Sequence, residues 1–454
     1  MNSRNAARDL PIAIVGGGFS GTLLAINLLR YGVKVALIER HSAQLAKGVA
    51  FGTRRPEHLL NVRAANMSAF PDDAKHFLRW MDFSEVDEAN RFVPRLTYGT
   101  YLRELLVEAL AKAGPDAAII DGEACAVGFD AVTAQVRLAD GDTIDCRAVV
   151  LALGNFPPAP HPVLEALPVH LYSADPWDKG AVEGLADLDH VLVVGSGLTA
   201  ADVVLSLDSS GFEGKVTVLS RRGLKPLAHA ESGPVVTPVP DPDMRGAELI
   251  RVVRQRAGEI GWRGAVDALR PHTQNIWRRH STDAQARFLR HLRPYWDIHR
   301  HRLAPSVARR LEVMEAAGRL QYVAGKLCGA EDAGGRANVS YRPRGQDGVE
   351  AIEVGRVFNC AGPDGNLHRV AAPVLTQLLN AGHIRSDAHG LGVDVDHLGR
   401  VRDAAGNVQD RLLAVGPITK GEAWEIVAVP DIRRQVWGLA RFLADEHWVG
   451  GEGL

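Results

Sequence analysis

Cysteine is scarce in this sequence, with four residues among 454. Cys125, Cys146, Cys328 and Cys360 lie far apart and form no CxxC pair. This spacing is typical neither of a metal site nor of a paired redox thiol, so we predict no bound metal and exclude the disulfide-reducing class of flavin reductase. We interpret each cysteine as a small buried apolar residue.

The sequence also lacks an excess of charge of one sign and a long hydrophobic run. The formal net charge is -2, which argues against a nucleic-acid partner because phosphate binding needs a basic surface. No stretch is apolar and long enough to span a bilayer, and residues 1–10 lack the basic-then-apolar order of a signal peptide. We therefore expect a soluble cytoplasmic protein without a membrane partner.

The length and composition allow several domains. A chain of 454 residues with 46% hydrophobic and 23% charged residues can bury large cores and should form two or three domains. No tandem repeat or low-complexity segment interrupts it.

A glycine-rich turn follows the first apolar run of the chain. Residues 12–15 lead into Gly16-Gly17-Gly18-Phe19-Ser20-Gly21, and the apolar spacing that follows suits a packed helix. Gly16 permits the tight turn, Gly18 lets the main chain approach a pyrophosphate, and Gly21 lets helix pack on strand. The next apolar run ends in Glu39, where a carboxylate can accept the ribose hydroxyls of an adenosine. This order predicts a dinucleotide site; the alternative is a glycine turn with no ligand.

A second glycine turn of the same kind lies about one domain further along. An apolar run at 191–194 leads into Gly195-Ser196-Gly197-Leu198-Thr199-Ala200, and its partner strand is followed by Ser220-Arg221-Arg222 instead of an acid. A guanidinium suits a 2′-phosphate, which a carboxylate would repel. We predict an NADPH site with Gly195, Gly197, Thr199, Arg221 and Arg222. The alternative for the two arginines is a solvated basic turn.

The positions of strand and proline signals predict one domain inserted into another. A buried-strand pattern at 149–155 is broken by the proline-rich stretch 156–160, and strand patterns ending in glycine return at 357–363 and 412–417. We predict an α/β fold with two Rossmann-like dinucleotide-binding domains. The first dinucleotide-binding domain would span 8–160 and 341–450, and the NADPH-binding domain 161–340, with a helical segment at 247–320.

The chain resembles the two-dinucleotide-binding flavoproteins, and within them the family that contains FAD-dependent urate hydroxylases and an aspartate N-monooxygenase. The residues that carry this second likeness are 48–53, 58–62, 67–71, 296–302 and 424–426. The resemblance places FAD at Gly16, Gly18, Ser20, Gly21, Glu39 and the adjacent Arg40, with Asn61 near the flavin ring and Gly416 beside the ribityl chain. Two family features are missing. Gly416-Pro417 stands where Gly-Asp is common, and the Phe-x-Gly fingerprint of flavin-containing monooxygenases is absent ahead of the second turn.

Arginine and aromatic residues crowd together in the helical segment 247–320. Guanidinium groups pair with carboxylates and stack on rings, so Trp296, His299 and Arg300 are candidates for binding an anionic or planar substrate. The alternatives are a basic surface helix or a salt-bridged interface with the acidic remainder of the chain.

These features predict an FAD-dependent NADPH oxidoreductase, with NADPH and FAD as cofactors. The favoured hypothesis is a monooxygenase that forms a flavin hydroperoxide from dioxygen and transfers one oxygen atom to a nucleophilic nitrogen, sulfur or carbon of a small substrate. An anionic, nitrogen-containing compound is one candidate class of substrate. The cofactor supplies the difficult chemistry, so no catalytic acid or base is assigned. A flavin reductase or dehydrogenase and an FAD-binding sensor or assembly factor remain alternatives, and a homodimer is left open.

Overall fold

The computed structural model describes residues 9–178, 180–231 and 246–446. Within them the strands are β1 Ile12–Val15, β2 Val35–Glu39, β3 Ala117–Asp121, β4 Ala124–Phe129, β5 Ala134–Leu138, β6 Thr143–Cys146, β7 Ala148–Leu151, β8 Tyr172–Ser173, β9 His190–Val194, β10 Lys215–Ser220, β11 Leu320–Asp332, β12 Ala337–Pro343, β13 Glu350–Val354, β14 Arg356–Asn359, β15 Arg400–Arg402 and β16 Val408–Ala414.

The α-helices are α1 Phe19–Arg30, α2 Gly48–Phe51, α3 His76–Trp80, α4 Val86–Ala89, α5 Arg95–Ala113, α6 Leu198–Ser209, α7 Gly246–Leu269, α8 Thr273–Arg279, α9 Thr282–His291, α10 Arg293–Arg300, α11 Pro305–Ala316, α12 Pro373–Asn380 and α13 Val429–Leu443. Helix α7 is interrupted at Gly261, whose positive φ of 78° is not helical. A short 3₁₀ helix spans Gly416–Thr419. No helix in the described residues is both long and apolar enough to cross a membrane.

The first sheet has the order β15-β16-β7-β1-β2-β3. Its strands are parallel except for the edge pair β15 and β16. β1 and β7 are completely buried, as expected for strands covered on both faces. Helices α1, α5 and α13 contribute to the hydrophobic core on one face, and α12 contributes to the core on the other. A separate antiparallel sheet, β4-β5-β6, packs against α12.

The second sheet has the order β13-β12-β11-β10-β9-β14-β8. Five neighbouring strands of this sheet run parallel, namely β11, β10, β9, β14 and β8. Strands β12 and β13 extend the sheet beyond β11 with antiparallel pairing. Helices α6 and α11 pack on one face. Both large sheets therefore have the parallel strands and covering helices of a Rossmann-like fold, which agrees with the predicted fold class.

The sheet pairing changes one predicted domain limit. The sequence analysis ends the NADPH-binding part at residue 340, but β12, β13 and β14 pair within the second sheet up to Asn359. The chain therefore returns to the first sheet only after β14. The two connections between the sheets lie side by side: Pro158 forms a bridge with Pro363, and the Asn359 side chain donates to the Ala159 carbonyl. The predicted outer limits at residues 8 and 450 lie outside the described residues.

Candidate functional site

The first glycine turn joins β1 to α1. Gly16 has φ +107°, and a Cβ there would come 2.5 Å from the carbonyl oxygen of Ala152. Gly18 precedes the first turn of α1, which has no side-chain cap and no acidic residue. A Cβ on Gly18 would meet only Gly48, at 3.5 Å. The N–H groups and the positive dipole end of α1 are thus available to an anion, as a pyrophosphate requires.

Glu39 ends β2 beside this turn. Its Oε2 accepts the Gly17 N–H at 2.8 Å, and its Oε1 accepts the His41 N–H at 2.9 Å. Each carboxylate oxygen has a second lone pair, so the group can still accept from ribose hydroxyls. The neighbouring Arg40 points to Glu123, with Nη1 and Oε1 3.0 Å apart, and this ion pair is exposed.

Two further segments meet the start of α1. A Cβ on Gly21 would lie 1.9 Å from the Gly16 carbonyl oxygen, so helix and turn touch there. Gly416 has φ +77°, and a Cβ on it would lie 2.4 Å from Ser20 Oγ. The N–H of Gly416 donates to Gln435 Oε1 at 2.7 Å. The structure thus brings Gly16, Ser20, Gly21 and Gly416 together at one end of α1.

Asn61 lies where the two nucleotide folds meet. Its carbonyl oxygen accepts from His229 Nε2 at 3.0 Å. Nearby, His58 Nε2 lies 2.8 Å from Ser206 Oγ on α6, and Arg95 of α5 pairs with Asp202 of α6 at 2.8 Å. The segment around Asn61 is therefore held against the helix that follows the second glycine turn.

The second glycine turn repeats the geometry of the first. Gly195 has φ +105°, and a Cβ there would come 2.1 Å from the Cys360 carbonyl oxygen. A Cβ on Gly197 would meet nothing within 4 Å, and the first turn of α6, which contains Thr199, again has no side-chain cap and no acid. This open space at an uncapped helix N-terminus fits a second pyrophosphate.

Arg221 and Arg222 follow β10, as the sequence indicates. Arg221 is exposed. Arg222 Nη2 donates to the Arg290 carbonyl oxygen at 3.3 Å, and its guanidinium lies 5.8 Å from the centre of the Tyr295 ring. The helical segment therefore contacts the predicted 2′-phosphate arginine.

The same helical segment also packs on the C-terminal loop, defined here as residues 416–428. Trp277 stacks on Trp424 with ring centroids 4.7 Å apart, and its indole N–H donates to the Gly421 carbonyl oxygen. Arg278 pairs with Glu422 at 2.8 Å. At the start of α13, Asp431 lies 3.6 Å from Arg270. Aromatic contacts and ion pairs thus attach the segment to the part of the chain that forms the first sheet and its core.

The candidate substrate residue Arg300 belongs to this interface. Its Nε lies 2.9 Å from Glu425 Oε2, with side chains only 10% and 4% exposed. Trp296 donates its indole N–H to Glu425 Oε1 at 2.9 Å. His299 makes other contacts: its Nδ1 lies 2.7 Å from the Tyr295 carbonyl oxygen, and its ring packs edge-on against Trp262. These contacts favour a salt-bridged interface, one of the alternatives given in the sequence analysis. They do not favour an unpaired guanidinium that is available to bind substrate.

Glu425 is the centre of this arrangement. It is a non-glycine residue with φ +71°, a conformation that persists only where the surroundings enforce it. Burial opposes ionisation of its carboxyl, but His301 and Arg300 outweigh burial and hold the pKa well below its usual range. The carboxylate therefore stays ionised.

Asp297, His301 and Glu425 place three metal-binding atoms within 4.8 Å of one another. Arg293 lies 3.4 Å from Asp297 and Arg300 2.9 Å from Glu425. These cations already neutralise the two carboxylates and would repel a divalent ion. The cluster fits an ion-pair network and gives no reason to revise the prediction of no metal.

Lys420 is a residue at this site that the sequence reasoning missed. It follows the Gly416 turn by four positions, and its Nζ lies 5.4 Å from the centre of the Trp424 ring. Burial, and then Arg293, lower the pKa of its ammonium, against the opposing effect of Asp297 and Glu425. The nearest sequence signal is its place between the Gly416 turn and Trp424.

Comparison with known proteins supports both nucleotide folds. A family model described as FAD-NAD(P)-binding matches residues 13–156. A model for L-lysine 6-monooxygenase/L-ornithine 5-monooxygenase matches residues 88–247. The L-lysine 6-monooxygenase of Pseudomonas syringae is 16% identical, with a TM-score of 0.66 over 96% of this chain and 99% of that one. The ornithine N-hydroxylase of Kutzneria sp. 744, solved with reduced FAD, NADP⁺ and L-ornithine, is also 16% identical, with a TM-score of 0.62 over 96% and 98%.

The fold is that of the two-dinucleotide-binding flavoproteins.

One curated relative has a closer sequence but a short match. A dual trans-enoyl reductase/FAD-dependent monooxygenase of Aspergillus terreus is 32% identical over 117 residues, which is 24% of this chain and 16% of that protein. The chain thus spans less than a fifth of that relative's length. Taken together, the comparisons support FAD and NADPH as cofactors and an oxidoreductase that depends on them.

Proposed function

We propose that this flavoprotein is an FAD- and NADPH-dependent monooxygenase that oxygenates the nitrogen of a small amine. The observation that carries the proposal is the match of the lysine/ornithine monooxygenase model across the second glycine turn, in a chain with two uncapped dinucleotide turns. One branch of the rival hypothesis, a disulfide-reducing flavin reductase, has no support in the four cysteines, which are all free and include no CxxC pair.

The residues of the first turn fit FAD. The α1 N-terminus with Gly16, Gly18, Ser20 and Gly21 would receive the pyrophosphate, and Glu39 would accept the ribose hydroxyls. Arg40, Asn61 and Gly416 stand as further proposed contacts. Bound FAD supplies the oxygen activation, which explains why the protein itself needs few catalytic groups.

The residues of the second turn fit NADPH. The α6 N-terminus with Gly195, Gly197 and Thr199 would receive its pyrophosphate. Arg221 and Arg222 would pair with the 2′-phosphate. Contacts with the Tyr295 ring and the Arg290 carbonyl oxygen restrict the conformation of the Arg222 side chain before the nucleotide binds. The contacts between α6 and the segment 58–61 would fix the position of one cofactor-binding fold relative to the other.

The helical segment would shield the site from water. Trp277, Phe288 and Trp424 form an aromatic cluster, with Phe288 edge-on to Trp424 at 5.5 Å. A dry site protects reactive intermediates from hydrolysis and strengthens electrostatic contacts. We propose that Arg300, Trp296 and His299 serve this shield and do not bind substrate directly.

We further propose a cytoplasmic enzyme whose partners are a small substrate and dioxygen, with no nucleic acid and with homodimer formation open to test by light scattering. We propose that the FAD-binding part consists of two segments of the chain. One precedes the connection near Pro158, and the other follows the connection near Pro363.

The test starts from FAD-loaded protein and an amine panel that includes L-lysine, L-ornithine, cadaverine, putrescine and L-aspartate. NADPH oxidation coupled to a hydroxylated amine supports the proposal. Flavin reduction by NADPH with only hydrogen peroxide, for every amine tested, would indicate a reductase or oxidase. Absence of flavin reduction by NADPH would indicate a sensor or assembly factor.

A further inference from the structure

Helix α10 contacts the segment that follows β10. Tyr295 lies near the start of this helix, and the centre of its ring is 5.8 Å from the Arg222 guanidinium. Arg222 Nη2 also donates to the carbonyl oxygen of Arg290 at 3.3 Å, in the last turn of α9 and just ahead of α10. These contacts hold the side chain that would pair with the 2′-phosphate of NADPH.

The same helix also contacts the C-terminal loop, through Glu425. Trp296 donates its indole N–H to Oε1 of Glu425 at 2.9 Å, and Arg300 Nε lies 2.9 Å from Oε2. The side chains of Arg300 and Glu425 are largely buried. The loop that carries Glu425 begins at the Gly416 turn, which abuts Ser20 at the start of α1. One helix of eight residues thus connects the candidate 2′-phosphate arginine with the loop beside the first glycine turn.

The freedom of the Arg222 side chain depends on the position of α10. Tyr295 and the end of α9 restrict the guanidinium only while the helix stays in place. Tyr295 and Trp296 are adjacent residues, so a bond that fixes Trp296 also fixes the backbone of Tyr295. A restricted guanidinium loses less side-chain entropy when it binds a phosphate. The contact with the C-terminal loop therefore favours binding of a nucleotide that carries a 2′-phosphate.

We propose that Glu425 and Trp296 are positioning residues for NADPH. They act through α10, which keeps Tyr295 and the Arg290 carbonyl beside Arg222. The inference rests on the proposed function, because it assumes that NADPH binds at the second glycine turn. It goes beyond that function by assigning part of the selectivity for the 2′-phosphate to the C-terminal loop, which packs with the first sheet and not with the second.

The test compares two nucleotides that differ only in the 2′-phosphate. FAD-loaded protein is titrated with NADP⁺ and with NAD⁺ in a calorimeter, and the ratio of the two dissociation constants is the readout. Both nucleotides are oxidised, so binding is measured without flavin reduction. We expect the wild type to prefer NADP⁺ by about tenfold or more, as for one charge-assisted contact. Adenosine 2′,5′-bisphosphate and adenosine 5′-monophosphate, which have no nicotinamide, should show the same preference.

Substitutions then assign part of this preference to the contact with the C-terminal loop. Trp296→Phe removes the indole N–H but keeps an aromatic ring, and it should lower the preference about threefold because Arg222 becomes less restricted. Glu425→Gln should change the preference in the same direction. Trp277→Phe is the matched control. It also removes an indole bond to the C-terminal loop, at Gly421, but it lies outside α10 and should leave the preference unchanged.

Variants of Tyr295 test the last step, between α10 and Arg222. Tyr295→Leu removes the ring and should lower the preference, whereas Tyr295→Phe keeps the ring and should retain it. A wild-type preference in Tyr295→Leu would overturn the proposal. FAD content and melting temperature are compared first for all variants. The Tyr295 variants leave the contacts of Glu425 unchanged, so they decide the matter if Trp296→Phe loses FAD.

An unchanged preference in both Trp296→Phe and Glu425→Gln also overturns the proposal. Other contacts of α10 would then be sufficient to hold it, for example the bond from the Leu227 N–H to the Ile298 carbonyl oxygen at 3.1 Å. An equal loss in Trp277→Phe overturns it as well, because any loosening of the C-terminal loop would then have the same effect. A wild type that binds both nucleotides equally contradicts the NADPH site itself, whereas a preference that resists the substitutions contradicts this inference alone.

Discussion

Gly16 and Gly18 lie two residues apart in one turn, yet their backbones impose different limits. Gly16 combines φ +107° with a close approach to the Ala152 carbonyl, so a side chain there strains the backbone and clashes. Gly18 has φ -71° and ψ -164°, values that other residues adopt freely, and a Cβ there meets only an ordinary contact. The fold requires a glycine at the first position, whereas only a bound pyrophosphate would require one at the second.

Gly18→Val therefore should fold but lose FAD. We expect a melting temperature within a few degrees of apo wild type, and an FAD affinity lowered by about tenfold or more because the side chain occupies the space of the pyrophosphate. Gly16→Val is the matched control and should destabilise the fold by about 3 kcal/mol or more. Full FAD retention in folded Gly18→Val would refute the assignment; flavin absorbance of the purified proteins measures it.

Arg222 is restricted by its neighbours, whereas Arg221 is exposed. Less side-chain entropy is lost when a restricted guanidinium binds a phosphate. We expect Arg222→Ala to raise the KM for NADPH by about tenfold, equivalent to about 1.5 kcal/mol, and to leave the KM for NADH nearly unchanged. Steady-state kinetics with both nucleotides give the ratio. The Arg221→Ala, Arg222→Ala pair should lose more, and unchanged discrimination in that double variant would place the 2′-phosphate elsewhere.

At the scale of elements, α10 is attached to the C-terminal loop through one buried carboxylate. Arg300 and Trp296 of α10, together with His301 directly after this helix, contact Glu425. Removing one member of a buried ion pair leaves the other charge unpaired, which costs more than the pair contributes.

Arg300→Ala is therefore predicted to lower the free energy of unfolding by about 3 kcal/mol. Chemical denaturation measures the change, and Arg287→Ala on the neighbouring helix α9, exposed to solvent, serves as the control. The double variant Arg300→Met, Glu425→Gln should recover part of the loss because no unpaired charge remains. If Arg300→Ala is as stable as wild type but uncouples NADPH oxidation from product, a direct substrate role for Arg300 is restored.

At the scale of the whole molecule, histidines contribute to the contact between the two nucleotide folds. Burial, reinforced by Arg302, lowers the pKa of His229 to about 4. Burial also lowers the pKa of His58. Burial thus favours the neutral imidazole of His229 in the folded protein, although its hydrogen bond to the Asn61 carbonyl oxygen opposes this effect.

The free energy of unfolding should therefore decrease as the pH drops from about 6.5 to 4. In this range the histidine binds a proton in the unfolded chain, whereas its lowered pKa keeps it neutral in the folded protein. For His229 alone the loss is about 2 to 3 kcal/mol by pH 4. Urea unfolding across this range measures it. His229→Gln can still donate to Asn61 but does not titrate, so its stability should depend less on pH. Identical pH slopes in the two proteins would assign the effect to other groups.

Local sequence was sufficient for the parts of the protein that depend on neighbouring residues. The glycine turns at Gly16 and Gly195 were predictable because strand, turn and helix follow each other along the chain and backbone shape selects glycine. The two Rossmann-like folds follow from the same local order. The position of Glu39 at the end of β2 was predictable for the same reason.

Contacts between distant segments were decided only by tertiary structure. Sequence could not assign β12–β14 to the second sheet, because an apolar strand pattern does not specify its neighbour. Nor could it tell that Arg300 pairs with Glu425, since an arginine-rich helix has the same sequence pattern whether its charges meet a ligand or another part of the chain. Which charges are paired depends on the packing of the helical segment against the C-terminal loop, and that packing exists only in the folded chain.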